Sequence, residues 1–468
     1  MTDVRNDNTT LIHCIDDVLP LYAGNGLGAD KQTIGMETEI SLYRRNADGS
    51  LSGASARECA DLVNTLKAKG YTAQLEMASA VEYASNAYRV SDLAAMSRDV
   101  RNDYAVFRQH IEDAGLHTGS AQLPFATLDS ARANLVERDR ARGLVEGMQR
   151  FKPQEFLKVT LLCTSTQVSV SYSDADDLYR TLCTGYALSP VIFALFANHP
   201  AFIEGGTDVR QQHPRAAWYG AFGDVGGVPD SLLHAKDGED FIRRHAQQVF
   251  NNDMLFYYDQ QGEIVWPEKP LPFAALAQLG LNTRSNYDLS ESFLYHDLKV
   301  CNIRDENGIA TGKRVEFRGF DSGALSTHTA HGFVGILLRD DKANAELQGL
   351  LLTYGLTPDC EDFAQNLTAS RAAVASHGGK YLDVAYGRGT LREFCVELSD
   401  ILERACARQP DACPALAQLI ALAARGTSLA ELSAAQTPDY AAEITKLKAA
   451  TLSASNDTAV APAIKRKP

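Results

Sequence analysis

Glu37 and Glu39 stand two residues apart in the stretch TIGMETEISL, Thr33 to Leu42. The stretch alternates as a strand does: Ile34, Met36, Thr38, Ile40 and Leu42 fall on one face, Gly35, Glu37, Glu39 and Ser41 on the other. Side chains at i and i+2 sit roughly 6–7 Å apart on one strand face. Two dry, unpaired carboxylates at that distance repel, and with a cation between them they become ligands. The arrangement recurs along the chain. Glu76 and Glu82 flank the small residues of EMASAVE. Gln167 and Ser169 share one face of TQVSVSY, against Val168 and Val170. Glu316 and Arg318 share one face of KRVEFRGFDSG, against Val315 and Phe317. The wet face of an antiparallel sheet is the ordinary source of such alternation. Such a face usually mixes Lys and Thr among its acids, whereas here the charged positions are glutamates with one arginine. If these strands share a sheet, the pattern points to an acidic pocket that holds metal.

The elements that position these residues are legible in outline. A strand over 33–46 ends at the turn NADGS, and a helix over 54–70 closes at Gly70. YTAQLEMASAVEYAS is strand-like in two pieces, and a long helix spans 91–115. KVTLLCTSTQVSVSYSDADDLYRTL reads as a strand, a turn and a helix start. The helix continues through LSPVIFALFANHP, apolar nearly all round and therefore buried. Residues 1–32 form a lead-in with a helix and the Gly-rich turn AGNGLG, and 33–435 form the main domain, helical from about 340. The tail 436–468 is poor in large apolar groups and its end reads as disordered.

Bulk properties narrow the classes. The chain has 468 residues, 45% hydrophobic and 22% charged, enough for two or three domains or one large unit. A net charge of −14 argues against nucleic acid as a partner. It leaves room for nucleotides, because magnesium bridges acidic protein to phosphate. Nine scattered cysteines without a Cys-x-x-Cys pair read as reduced thiols rather than zinc ligands. The polar N-terminus and the lack of any long apolar run predict no signal peptide and no membrane span, hence a cytoplasmic protein.

Taken together, these segments resemble the plant- and proteobacterial-type glutamate–cysteine ligase family. GMETEI is similar to that family's opening Gly-x-Glu-x-Glu strand, and LEMASAVEYASNAYRVSDL keeps both glutamates of its next segment at the same spacing. TQVSVSY, ALFANHPAFIEG, RVEFRGFDSG and the closing LAARGTSLAEL follow in the family's order, from roughly Thr33 to residue 435. The resemblance implies an α+β fold whose largely antiparallel sheet forms a funnel-shaped active site covered by helices, related to that of glutamine synthetase. It implies an ATP-dependent carboxylate–amine ligase that makes an acyl phosphate and couples it to an amine. Glutamate and cysteine would be the substrates, as in glutathione biosynthesis. ATP and two or three Mg2+ ions would be required, the ions seeking hard oxygen ligands. Carried over residue by residue, Glu37, Glu39, Glu76, Glu82 and Glu316 are metal ligands and Gln167 lies close to a metal. Gln167 equally suits a hydrogen bond within the sheet. Glu316 and Arg318 are catalytic, Arg318 stabilising the phosphoryl group in transfer. Thr164, Trp218 and one arginine bind substrate. Arg210 lies eight residues before Trp218 and Arg215 three; the distance from the preceding glycine motif favours Arg210.

The chain departs from the family where substrate is held. Leu162, Cys163 and Thr164 stand where the family has Arg-Thr-Cys. LYHDLKVCNIRDENGIATGK lacks the usual Phe-Pro-x-Val-Arg. His296, Lys299 and Arg304 lie there, as replacement charge or as parts of a surface hairpin turning at DENG. A ligase of the same chemistry with another acid or amine is therefore the second reading. An inactive nucleotide-binding relative is the third, and the complete acidic set with Arg318 stands against it.

Overall fold

In this computed structural model, which describes residues 7–28, 31–199, 213–304, 310–377 and 380–430, six strands build the sheet beneath the site. They are β1 (Thr33–Arg45), β2 (Ala73–Glu76), β3 (Ala80–Ala84), β4 (Ser165–Val170), β5 (Leu298–Arg304) and β6 (Ala310–Asp321). Their order is β5-β6-β4-β1-β3-β2, and every neighbouring pair is antiparallel. Short strands at Leu51–Gly53, Tyr88–Arg89 and His117–Thr118 pair with the ends of β1. The sheet curls into an open half-barrel, and the α+β expectation holds.

Register decides which residues meet. Glu39 lies opposite Glu82 and Glu37 opposite Gln167, while Glu316 lies between Ser169 and Lys299. All the chemistry-bearing segments do share one sheet. Its other face is core: Ile34, Met36, Val168, Val170, Val315 and Phe317 are buried. They pack on the helices Ala175–Leu195 and Ala324–Arg339. Thr38 and Thr166 are polar exceptions on that face; their hydroxyls meet at 2.8 Å, and that of Thr38 lies 3.3 Å from the Thr327 hydroxyl. The first helix approaches so closely that a Cβ on Gly185 would sit 2.2 Å from Leu298 Cδ2 and 2.8 Å from Phe317 Cε1. Only glycine fits there.

The helix expected over 54–70 forms at Ala56–Ala68, and that over 91–115 at Leu93–Asp113. The first begins with a reciprocal Ser55–Glu58 cap. Three expectations need correction. The lead-in holds two 3-10 turns, Ile15–Asp17 and Leu19–Tyr22, rather than a helix. Lys158–Leu162 ends a helix, Gln154–Leu162, and the strand starts only at Ser165. A short apolar run such as KVTLL has no period that separates a buried strand from a buried helix. The C-terminal helices Asp341–Thr353, Phe363–Ser376, Leu391–Arg408 and Leu416–Ala424 are interrupted by a small hairpin, Ala385–Tyr386 with Gly389–Thr390. The DENG turn, Arg210 and the tail 436–468 lie outside the described residues. Among those described, no helix is long and apolar enough to cross a membrane.

Candidate active site

A cavity of about 1240 Å3 lies over the polar face of the sheet. Glu37, Glu39, Glu76, Glu82, Gln167, Glu316 and Arg318 all line it, so five strands deliver the residues that the sequence singled out. The β2–β3 hairpin turns through Met77–Ser79, with Ser79 at φ +52° and its hydroxyl donating to the Ala54 carbonyl at 2.8 Å. That tight turn is why small residues separate Glu76 from Glu82. It returns the chain with Glu82 opposite Gln74, on the same face as Glu76.

The carboxylates are held in two different ways. Glu39 accepts from the Ser165 N–H at 2.7 Å and from Gln167 Nε2 at 2.7 Å. Gln167 Oε1 in turn accepts from Arg318 Nη1 at 3.3 Å. Arg318 also donates to Glu316, whose second oxygen accepts from Arg314 Nη2 at 3.3 Å. Arg314 Nη2 lies 3.6 Å from Glu37. Burial pushes the Glu316 carboxyl up, but Arg318, Arg314 and Lys299 outweigh it and bring the pKa down to about 2. The other four move the opposite way. Burial, then the Glu39 charge, raises Glu76 to about 7. Burial raises Glu82 well above the usual range, with Glu37, Glu76, Glu39 and Glu316 all adding to the push. Burial also raises Glu39, and burial with Glu316 raises Glu37. Like charges directly opposite, as Glu39 and Glu82 are, destabilise a sheet. Two arginines satisfy one carboxylate and leave four without enough positive charge. This donor set, hard oxygens short of cations, fits a magnesium site.

The substrate-side expectations divide. Thr164 and Arg215 line the cavity. Thr164 gives its hydroxyl to a network with Ser41 at 2.9 Å and Ser322 at 2.6 Å. Arg215 Nη1 donates to the Thr164 and Phe320 carbonyls at 3.3 and 3.1 Å, and its buried Nε has no partner. Trp218 is placed elsewhere: it sits in the core and does not line the cavity. It shares a short helix, Pro214–Gly220, with Tyr219, and it is Tyr219 that reaches the cavity. Leu162, at the position of the family's arginine, also lines the cavity.

Sequence reading missed Arg314 and Tyr219. Arg314 precedes Glu316 by two on the same strand face, so the signal was present. Tyr219 carries no such mark. Behind Arg215, His199, His213 and Asp321 bring possible ligand atoms within 4.8 Å of one another. Each already serves a protein partner. His199 Nε2 meets the Tyr381 hydroxyl at 2.9 Å, and Asp321 accepts from the Asn198 N–H at 2.9 Å. His213 bonds the Phe193 carbonyl at 3.0 Å through Nε2 and accepts from the Ala216 N–H at 3.3 Å through Nδ1. This cluster is a hydrogen-bonded support for the cavity wall.

Residues 33–445 match a family model described as glutamate-cysteine ligase family 2. No curated protein sequence matches the chain. Among solved structures, a glutamate–cysteine ligase from Francisella tularensis in complex with AMP is similar at 11% identity and a TM-score of 0.44, over 95% of this chain and 97% of that one. A structure described as a novel glutamine synthase homolog is similar at 14% identity and a TM-score of 0.32, over 91% of this chain and 70% of that one.

Proposed function

Because the chain belongs to glutamate-cysteine ligase family 2, a family of ligases, we propose that it joins the carboxylate of an amino acid to an amine at the expense of ATP. Glutamate and cysteine are the pair the family suggests. The observation that carries the reading is one cavity shared by five glutamates, Gln167 and Arg318. Glu37, Glu39, Glu76, Glu82 and Glu316 would hold magnesium, with Gln167 beside it. Bound there, the ion supplies positive charge against the phosphates of ATP. Arg318 is fixed by Glu316 and Gln167 from below, so its guanidinium is oriented before substrate arrives. It would stabilise the γ-phosphoryl group as the substrate carboxylate attacks phosphorus and ADP leaves. The amine then attacks the acyl carbon of the mixed anhydride, and phosphate leaves. Arg215, with an unpartnered Nε and two backbone anchors, would orient a substrate carboxylate.

Leu162 favours a second reading. An apolar side chain lines the cavity where the family places a cation, so the acid or the amine can differ from glutamate and cysteine. Both readings are tested by ADP release with ATP and Mg2+ against a panel of acids crossed with amines, with products weighed by mass spectrometry. Turnover with glutamate and cysteine selects the first reading, turnover with another pair the second. Silence from every pair defeats both. Arg215→Lys, which keeps charge and loses the fork, is expected to raise KM for the acid about tenfold while changing kcat less. Steady-state kinetics at saturating ATP check this, and an unchanged acid KM would remove Arg215 from the acid site.

A further inference from the structure

The stretch that replaces the family's Phe-Pro-x-Val-Arg carries three basic residues, and the structure separates them. His296 is buried away from the cavity, its Nε2 3.4 Å from Gln248 Nε2 and from the Asp224 carbonyl. Burial brings its pKa down to about 3, so it is neutral. Arg304, at the outer end of β5, lines the cavity but is paired with Asp288 at 3.6 Å. Lys299 lines the cavity. Its Nζ donates to the Ser292 carbonyl at 2.6 Å and stands 5.8 Å from the centre of the Tyr295 ring. Among the described residues it makes no ion pair with a carboxylate. Glu316 faces it across the ladder but gives its oxygens to Arg318 and Arg314.

Lys313 offers a comparison within the same hairpin. It is fully buried outside the cavity, bonded to Glu291 and 3.9 Å from Asp288. That lysine is paired with carboxylates by the fold. Lys299 is not. One of its three N–H donors goes to a carbonyl, and the others remain beside an open cavity. An ammonium taken out of water without an anion is unfavourable, and burial accordingly lowers its pKa to about 8.

We propose that Lys299 is a specificity residue whose ammonium holds the non-reacting carboxylate of the acid substrate. This rests on the ligase reading above. Geometry favours a free carboxylate at this place. Strands lie about 4.8 Å apart, so along the curled sheet β5 is three steps, roughly 14 Å, from β1 and farther from β3 and β2. A bare carboxylate over β5 therefore avoids Glu37, Glu39, Glu76 and Glu82 and meets Lys299. The lysine restores, from the edge strand, a positive charge that Leu162 does not supply.

Calorimetric titration of L-glutamate and of γ-aminobutyrate, which lacks the α-carboxylate, into wild type, Lys299→Met and Lys299→Arg tests this without turnover. Lys299→Met should weaken L-glutamate by about 10- to 100-fold, as loss of a charge-assisted hydrogen bond does. It should leave γ-aminobutyrate and ATP unchanged, and Lys299→Arg should keep most of the L-glutamate affinity. Equal weakening of both acids would mean that Lys299 only braces the Ser292 carbonyl, and overturns the proposal. So do a loss of ATP affinity instead, an unchanged L-glutamate affinity, and a wild type that does not bind L-glutamate. Failure of the ligase reading is visible separately, as L-glutamate binding without ADP release from any acid–amine pair.

Discussion

Arg318→Ala should lower kcat by about 10^3- to 10^5-fold, the range seen when a transition-state arginine is lost from phosphoryl-transfer enzymes. The expectation follows from how the side chain is held. The β6–β4 ladder breaks its register between Phe317 and Phe320, and the Arg318 N–H leaves the ladder to bond the Asp297 carbonyl at 3.1 Å. Such bulges re-aim a side chain. Asp297 is itself clamped, accepting from Arg371 at 3.0 and 3.1 Å and from Ser189 at 2.8 Å. The guanidinium then rests on Glu316 and Gln167. Orientation is thus built into the fold, and its loss falls on the transition state more than on ground-state binding. Arg318→Lys should recover little, because a single ammonium cannot bond Glu316 and Gln167 and still present a planar fork. Steady-state kinetics decide: a change confined to KM would place Arg318 in binding rather than catalysis.

The site was legible because its residues obey the period of a strand. Glu37 with Glu39, Gln167 with Ser169, and Glu316 with Arg318 each alternate with buried apolar partners, so one pattern yields both the sheet and its polar face. Sequence could not give the order β5-β6-β4-β1-β3-β2, because pairing across more than a hundred residues, as between β1 and β4 or β4 and β6, leaves no local mark. It also could not give the roof. The helices Asp139–Phe151 and Gln154–Leu162 bring Leu144, Leu161 and Leu162 over the cavity, and nothing in their sequence says which side faces it. Arg215 shows the same limit. Its burial, its place on the cavity and its partnerless Nε are properties of packing alone, and Arg210, which spacing from a glycine motif favours, lies outside the described residues. Trp218 and Tyr219 are neighbours in sequence, yet only the second faces the cavity. A short helix turns successive residues by about 100°, and the motif does not say which turn faces inward.

Glu76→Gln is expected to stabilise the metal-free protein while raising the Mg2+ concentration needed for half-maximal turnover about tenfold or more, since ligand charge sets the affinity of such sites. The Glu76 carboxyl has an ordinary value of 4.5 and rises to about 7 in the fold. A carboxyl raised in this way binds its proton more tightly folded than unfolded. Its contribution to stability is fully present below 4.5 and is lost as the pH climbs through 7. Buried histidines act oppositely over much of that range: burial lowers the pKa values of His213, His296, His328 and His331, so the unfolded chain takes up their protons first. Total stability against pH therefore mixes two signs, and the informative quantity is variant minus wild type, in which the histidines cancel. In EDTA that difference should grow by about 2 kcal/mol between pH 5 and pH 8, on the order of what a shift of this size implies. Saturating Mg2+ should reverse the ranking at pH 8, because the ion binds the folded wild type more tightly than the variant. Denaturant titrations in EDTA and in Mg2+ at the two pH values measure both effects. A difference that does not change with pH would mean that no carboxylate charge is buried at Glu76, and one insensitive to Mg2+ would take Glu76 out of the metal site.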